Sequence, residues 1–213
     1  VSNPNVSHKH LVTGVSGSGK TTRLLQLIAT ANVDVVWVFD GEGELQQRLN
    51  VPPRPFAGLW LASVENRVVV FDPALEFTNN VEALDAFCNV AMSVGQQRGI
   101  SSLLVVDELQ KYCGTGAADI SPAFVNVLER GRRAGVQVLV ATHSPNLVHN
   151  RARNQLTHVS AFRLVDPRAT AWLEPLGFTA DELRALPLGT FHFRKVGADT
   201  FKEIKLFDPL PEG

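Results

Sequence analysis

Residues Gly14 to Thr22 read GVSGSGKTT. Gly14, Gly19, Lys20 and Thr21 meet every fixed position of the phosphate-binding pattern G-x-x-x-x-G-K-[ST]. In such a loop the backbone bends so that N–H groups, here along Val15, Ser16, Gly17, Ser18 and Thr22 as well, converge on phosphate oxygens. Lys20 adds a positive charge for the β and γ phosphates, Thr21 offers a hydroxyl to Mg²⁺, and the following helix presents its positive end. The chemistry implied is the binding of ATP with magnesium.

A second group supplies acids. Residues 103 to 108 read LLVVDE, an apolar strand tipped by two carboxylates. Beside a phosphate loop, Asp107 is expected to hold the Mg²⁺ shell and Glu108 to polarise the water that attacks the γ-phosphate. Strands often end in acidic caps, so the string gains its meaning from the loop upstream. Thr142 and His143 follow the apolar run Val136 to Ala141. If that strand lies between the loop strand and the acidic strand, one of the two senses the γ-phosphate; otherwise they form a hydrogen-bonded strand end. Asp40 and Glu44, after the apolar run VVWVF, are further site candidates or members of a solvated loop.

Arginines make the third group. A helix from Ser121-Pro122 to about Ala134 carries Arg130, Arg132 and Arg133 near its end. At about 100° per residue, Arg130 and Arg133 share a face and Arg132 points nearly opposite Arg130. One face can reach a neighbouring subunit's nucleotide as an arginine finger; alternatively, the basic end complements the helix dipole. Arg151 and Arg153, in the NRARN stretch, are expected in a loop, either against a DNA backbone or on a solvated face.

The elements that must position these groups follow from periodicity. Leu11 and Val12 precede the loop, and Leu24, Leu25, Leu27, Ile28 and Ala31 follow at helical spacing. Val35 to Phe39 are apolar without alternation, as in a parallel strand buried on both faces, and ligands bind at the carboxyl edge of such sheets. Val68 to Phe71 predict another strand. Asn80 reads as the N-cap of a helix whose apolar face holds Val81, Leu84, Phe87, Cys88, Ala91 and Met92, ended by Gly95 or Gly99. A strand is expected at Val159 to Leu164, a helix near Thr179 to Leu186, and a hairpin of Thr190 to Val196 with Phe201 to Phe207 at the sheet edge.

The 213 residues suit a single domain, with a core of about 9–165 and an extension of about 166–213. A composition 45% hydrophobic and 19% charged excludes a disordered or fibrous chain. The net charge of -1 excludes a uniformly basic surface, so nucleic-acid contact has to come from local loops or from a pore built of several copies. Cys88 and Cys113 are too few for a disulfide framework or a zinc site, and the expected setting is a reducing cytoplasm. His149 and His158 lack metal-ligand spacing. No apolar run approaches about eighteen residues, so no intrinsic transmembrane segment is expected, and the polar start is unlike a secretory signal.

The order GVSGSGKTT, VVWVFDGEGEL, LLVVDE, ERGRRAGVQVLVATHSPNLV and VSAFRLVDPRATAWL resembles the FtsK/HerA superfamily of DNA-pumping ATPases over roughly residues 9 to 195. At this length the chain is most similar to the small genome-packaging ATPases of tailless, membrane-containing viruses. The resemblance implies an α/β fold, a P-loop NTPase of the ASCE, RecA-like type with a mainly parallel central sheet flanked by helices. It also implies a homo-oligomeric ring, commonly a hexamer, that drives double-stranded DNA into a preformed capsid. Capsid or membrane vertex proteins would be further partners, in the host cytoplasm or at the packaging vertex. Carried over to this chain, phosphate binding falls to Gly19, Lys20 and Thr21, metal and water activation to Asp107 and Glu108, and a finger to Arg132 or its neighbours. His143 stands where such relatives usually place Gln, and a histidine, unlike Gln, titrates near neutral pH. Competing functions are a nucleotide-gated assembly or secretion ATPase acting on a protein, a small-molecule P-loop kinase, and an ABC-type ATPase. The last lacks its LSGGQ-like signature between Lys20 and Asp107.

Overall fold

The computed structural model describes residues 8–206 apart from 117 and 199. Its strands are β1 (Lys9–Thr13), β2 (Val35–Phe39), β3 (Val68–Phe71), β4 (Ser102–Val106), β5 (Val136–Thr142), β6 (His158–Phe162), β7 (Thr190–Lys195) and β8 (Lys202–Lys205). They form one sheet in the order β3-β2-β4-β5-β1-β6-β7-β8. From β3 to β6 every pairing is parallel; β7 and β8 join antiparallel. The fold class is thus the expected one, α/β with a mainly parallel sheet and an antiparallel C-terminal hairpin. The hairpin arises where the apolar run gives way to alternation: Phe191 is buried while the outer strand β8 is largely exposed.

Helices α1 (Lys20–Thr30) and α2 (Glu44–Leu49) pack on one face of the sheet. The longest helix, α4 (Asn80–Arg98), packs on the other with α5 (Pro122–Arg130). Every residue of β2 and β4 is buried, as continuous apolar runs require between two helical layers. On the α4 side the packing is aromatic: Phe71 stacks on Phe87 at 5.5 Å, and Phe39 meets Tyr112 edge to face at 4.8 Å. Cys88 and Met92 lie in this core.

Several local expectations shift. Asn79, not Asn80, caps α4, accepting from the backbone N–H of Val81 and Glu82 at 2.9 and 3.2 Å. That helix runs through Gly95 to Arg98 and closes on Gly99. Gly95 is needed for contact, because a Cβ there would lie 2.2 Å from the carbonyl oxygen of Ala134. The helix before the arginines stops at Arg130, and residues Gly131–Ala134 tighten into a 3₁₀ turn. The α-helical arithmetic that set Arg130 and Arg133 on one face therefore does not apply. The NRARN stretch forms a short helix, α6 (Asn150–Arg153), in place of a loop. Three more helices, α3 (Leu59–Glu65), α7 (Pro167–Leu173) and α8 (Ala180–Ala185), complete the described chain. The expected strand end at Phe207 and the turn residue Asp199 lie outside the described residues.

Candidate nucleotide site

Strand order and register gather the chemistry. β5 lies between β4 and β1, and Thr13, the residue before Gly14, pairs with Thr142. Val106, the residue before Asp107, pairs with Val140. Loop, Thr142-His143 and the acidic pair therefore emerge side by side at the carboxyl edge of three neighbouring strands. At about 4.8 Å per strand, the acids stand about 10 Å from the loop strand, room for a phosphate group and a metal ion between them.

The loop is clamped at both ends. The N–H of Val15 donates to the carbonyl of Arg163 just past β6 at 3.0 Å, and that of Arg23 to Gly19 at 3.0 Å. Two of its glycines are required by close approach. A Cβ on Gly14 would sit 2.5 Å from Cβ of Phe162 and 2.7 Å from Oγ of Ser18. One on Gly19 would sit 2.1 Å from Cδ1 of Leu206, and Gly19 has φ 109° besides. Leu206 follows β8, its carbonyl accepts from Nε2 of Gln26 at 3.0 Å, and the N–H of Gly189 donates to Ser18 at 3.2 Å. The C-terminal hairpin, to which sequence reasoning assigned no chemistry, thus backs the loop.

Fit to a magnesium nucleotide can be judged from what the loop lacks. No side chain caps α1 and its first turn holds no acid, so its leading N–H groups have no intrahelical acceptor. Oγ of Ser18 is buried without a hydrogen-bond partner, as is Oγ1 of Thr13. Nζ of Lys20 donates to the loop's own Val15 carbonyl at 3.1 Å. Burial pushes the Lys20 pKa down, with Glu108, Asp107 and Glu44 acting in the opposite sense. Unpaired N–H groups at the start of α1 with the Lys20 cation beside them suit a polyanion. Ser16, Gly17 and Thr22 are exposed on its rim.

The acids complete the complement. Asp107 is 7% exposed, and burial, with Glu108 next to it, pushes its carboxyl up to about 6. A cation is the natural relief for such a group. Among the described residues no three His, Cys, Asp or Glu side chains form a metal cage. A magnesium ion here would lean on Thr21, Asp107, water and phosphate oxygens, its usual mode of binding.

Glu108 adopts φ 50° and ψ 47°, a left-handed conformation uncommon outside glycine. This turn aims its carboxylate at β5, where Nδ1 of His143 lies 2.6 Å from Oε2. A carboxylate only accepts, so Nδ1 is the donor. Gln110, which sequence reasoning missed, joins the group: its amide nitrogen donates to Glu108, and its amide oxygen accepts from the Thr142 hydroxyl. Thr142 in turn accepts from the N–H of Ser144 at 3.0 Å. His143 thus reaches Glu108 directly, and Thr142 reaches it only through Gln110. Its signal in the sequence was only its position two residues beyond Glu108.

Of the remaining candidates, Asp40 and Glu44 stand close enough for their charges to act on Asp107, and Glu44 on Lys20 as well. Asp40 is fully buried and holds the entry to α2, accepting from Gly43 N–H at 3.0 Å and Gln46 N–H at 2.8 Å. Glu44 lies 3.8 Å from Arg48. Arg130, Arg132 and Arg133 are exposed and precede β5, a strand of seven residues whose far end carries Thr142. At about 3.3 Å per residue they stand roughly 20 Å from their own loop. Arg151 is held by Glu129 at 2.7 Å, and Arg153 stacks on Trp172 with 5.4 Å between the guanidinium carbon and the ring centre. His149 caps α6, accepting from the N–H of Arg151 at 3.1 Å.

Comparison with known proteins places this geometry. A family model described as zonular occludens toxin (Zot) matches residues 9–166, from the first strand through the last parallel one. The chain belongs to the Zot family. Within known sequences, this Zot-family chain is 29% identical over 143 residues to Protein P9 of Pseudoalteromonas phage PM2. That match covers 67% of the chain and 61% of Protein P9, so the chain spans under two thirds of this relative's length. Among solved structures it is similar to the genome packaging NTPase B204 from Sulfolobus turreted icosahedral virus 2 in complex with ATP-gammaS. The TM-score is 0.75 at 18% identity, covering 95% of this chain and 98% of that one. Thermomonospora curvata EccC (ATPases 2 and 3), in complex with a signal sequence peptide, gives 0.64 at 14% identity, over 94% of this chain and 37% of that one. At these identities the likeness is one of fold, the P-loop NTPase fold, and it meets the resemblance carried by the motifs. Among the described residues no helix of this Zot-family chain is long and apolar enough to cross a membrane.

Proposed function

We propose that the chain is an ATPase that drives double-stranded DNA into a viral capsid, working as a homo-oligomeric ring, a hexamer in the simplest case. The observation that carries the catalytic half is the meeting, at the ends of two strands separated only by β5, of a phosphate loop whose leading N–H groups have no intrahelical acceptor and a buried, cation-seeking carboxylate. The packaging half is supported by the fold likeness to the packaging NTPase of an icosahedral virus, matched over nearly the whole of both chains.

In this reading Gly14 to Thr22 wrap the phosphates, Lys20 leaves the Val15 carbonyl for the β and γ phosphates, and Thr21 and Asp107 hold Mg²⁺. An ion held by these two residues would supply positive charge to the phosphate oxygens. Glu108 takes a proton from the attacking water. His143 and Gln110 fix the direction of its carboxylate, and Thr142 holds Gln110. Arg132, with Arg130 and Arg133 beside it, serves a neighbouring subunit's nucleotide, since its own lies a full strand length away. Work would take place in the host cytoplasm or at the packaging vertex, where capsid or membrane proteins meet the ring.

A second reading, a secretion or assembly ATPase acting on a protein, draws on the likeness to EccC, solved with a signal sequence peptide. ATP turnover with and without long duplex DNA separates the two. Strong stimulation by DNA is expected; turnover indifferent to DNA and raised by a protein partner would replace the motor with the secretion factor.

A further inference from the structure

At the opposite edge of the sheet lies a cavity of 830 Å³, between the C-terminal half of α1, the amino ends of β1, β4 and β5, and the turn at residues 131–135. Its volume is within the range of small-molecule sites. Leu27, Val33, Ile100 and Leu139 give it apolar walls. Arg132 and Arg133 stand in its lining as exposed cations.

Deeper in the wall is Arg23, which no role described so far uses. It is 8% exposed, yet among the described residues it has no carboxylate partner. One nitrogen, Nη1, donates to Oε1 of Gln26 at 3.3 Å, and the guanidinium carbon lies 4.9 Å from the centre of the Phe191 ring. Its Nε is buried with no acceptor at all. Burial pushes its pKa down, and no acid acts to raise it. A buried cation ordinarily carries a paired anion, because removing a charge from water is costly. The Phe191 ring offsets part of that cost but supplies no negative charge.

Among the described residues the other charges of the cavity supply no such anion. Asp34 is the one carboxylate among its described lining residues, and Asp34 already accepts from the N–H and the hydroxyl of Ser101, both at 2.8 Å. His10 is buried against Arg23 and His158, and burial with these neighbours holds its pKa well below the usual value, so it is neutral near pH 7. Three arginines against one engaged aspartate make a positive, partly apolar chamber.

We propose that this cavity is a second anion site, distinct from the nucleotide cradle, that binds a phosphate-bearing molecule no larger than a nucleotide, with Arg23 as the inner contact and Arg132 and Arg133 at the mouth. Arginine's planar fork suits a phosphate's paired oxygens. The apolar walls accept a flat organic body, and a duplex about 20 Å across cannot enter a space of this size. Because Arg23 is on the helix that begins at Lys20, an occupant would also stiffen the first turns of that helix.

The test keeps the two sites apart by working in full-length Lys20→Ala protein, whose nucleotide cradle is disabled. AMP, inorganic phosphate and a short DNA duplex are each titrated by calorimetry. AMP or phosphate is expected to bind one per chain, with affinity falling at least tenfold when Arg23→Met is added. Should Arg23→Met fail to fold, Arg132→Ala/Arg133→Ala, which changes exposed side chains only, is expected to weaken the same binding about tenfold. Equal binding with and without the arginines, no binding of either small anion, or arginine-dependent binding of the duplex alone would each overturn the proposal. Loss of ATP hydrolysis in Lys20→Ala speaks only to the cradle and leaves this result unaffected.

Discussion

Asp107 carries its carboxyl in an environment that disfavours the charged form. Its carboxyl titrates at about 6 in the folded chain against 3.8 for an ordinary aspartate. The folded state therefore binds this proton more tightly than the unfolded state. Its contribution favours folding at low pH and is lost as pH rises through 6. Above that pH the charge costs on the order of 2–3 kcal/mol. Asp107→Asn is thus expected to raise the melting temperature of nucleotide-free protein by about 5 °C at pH 8 and hardly at pH 4, while removing stabilisation by magnesium. A melting temperature equally raised at both pH values would show that the gain is not electrostatic. Glu108, held in its left-handed turn between His143 and Gln110, answers to kinetics. Glu108→Gln is expected to keep ATP bound and slow turnover at least about a hundredfold in single-turnover assays, whereas full activity would move the base elsewhere.

At the scale of elements, the phosphate loop is a strand-to-helix turn wedged against β6 and the C-terminal hairpin. Gly14→Ala drives a Cβ into the backbone-bearing side of Phe162 and is expected to cost about 1–3 kcal/mol in denaturant unfolding. Gly17→Ala meets open space but keeps a positive φ, so about 1–2 kcal/mol is expected from conformational strain. A larger loss at Gly17 would mean that packing against β6 does not set the loop. These contacts mark the limit of what the chain discloses by itself. Loop, acidic strand and buried parallel strands were legible because their residue types repeat at short, fixed spacing: GSGKT, LLVVDE, VVWVF. Gln110 was not, since its role depends on the left-handed turn at Glu108, which no local pattern announces. Nor was Leu206 over Gly19, a contact between positions at opposite ends of the chain. The break at Gly131 escaped because GRRAG continues a helical pattern until the 3₁₀ turn tightens beneath Gly95.

For the whole molecule, the separation of functions across the sheet has a consequence. The cradle occupies the carboxyl edge and the arginine turn the amino edge, so a finger from this turn acts only between copies. Arg132→Ala subunits are expected to turn over ATP at least a thousandfold more slowly with ATP affinity unchanged. Mixing them with Glu108→Gln subunits should recover part of the activity, because an intact base can then face an intact arginine. No recovery across mixing ratios would place catalysis within one chain. All of this depends on one magnesium nucleotide held jointly by the loop and the acidic strand. Crystals grown with a non-hydrolysable ATP analogue and Mn²⁺ test that claim most directly. The account predicts phosphates inside residues 14–22 and an anomalous manganese peak between Thr21 and Asp107. An empty loop, or a manganese peak remote from both side chains, would contradict it.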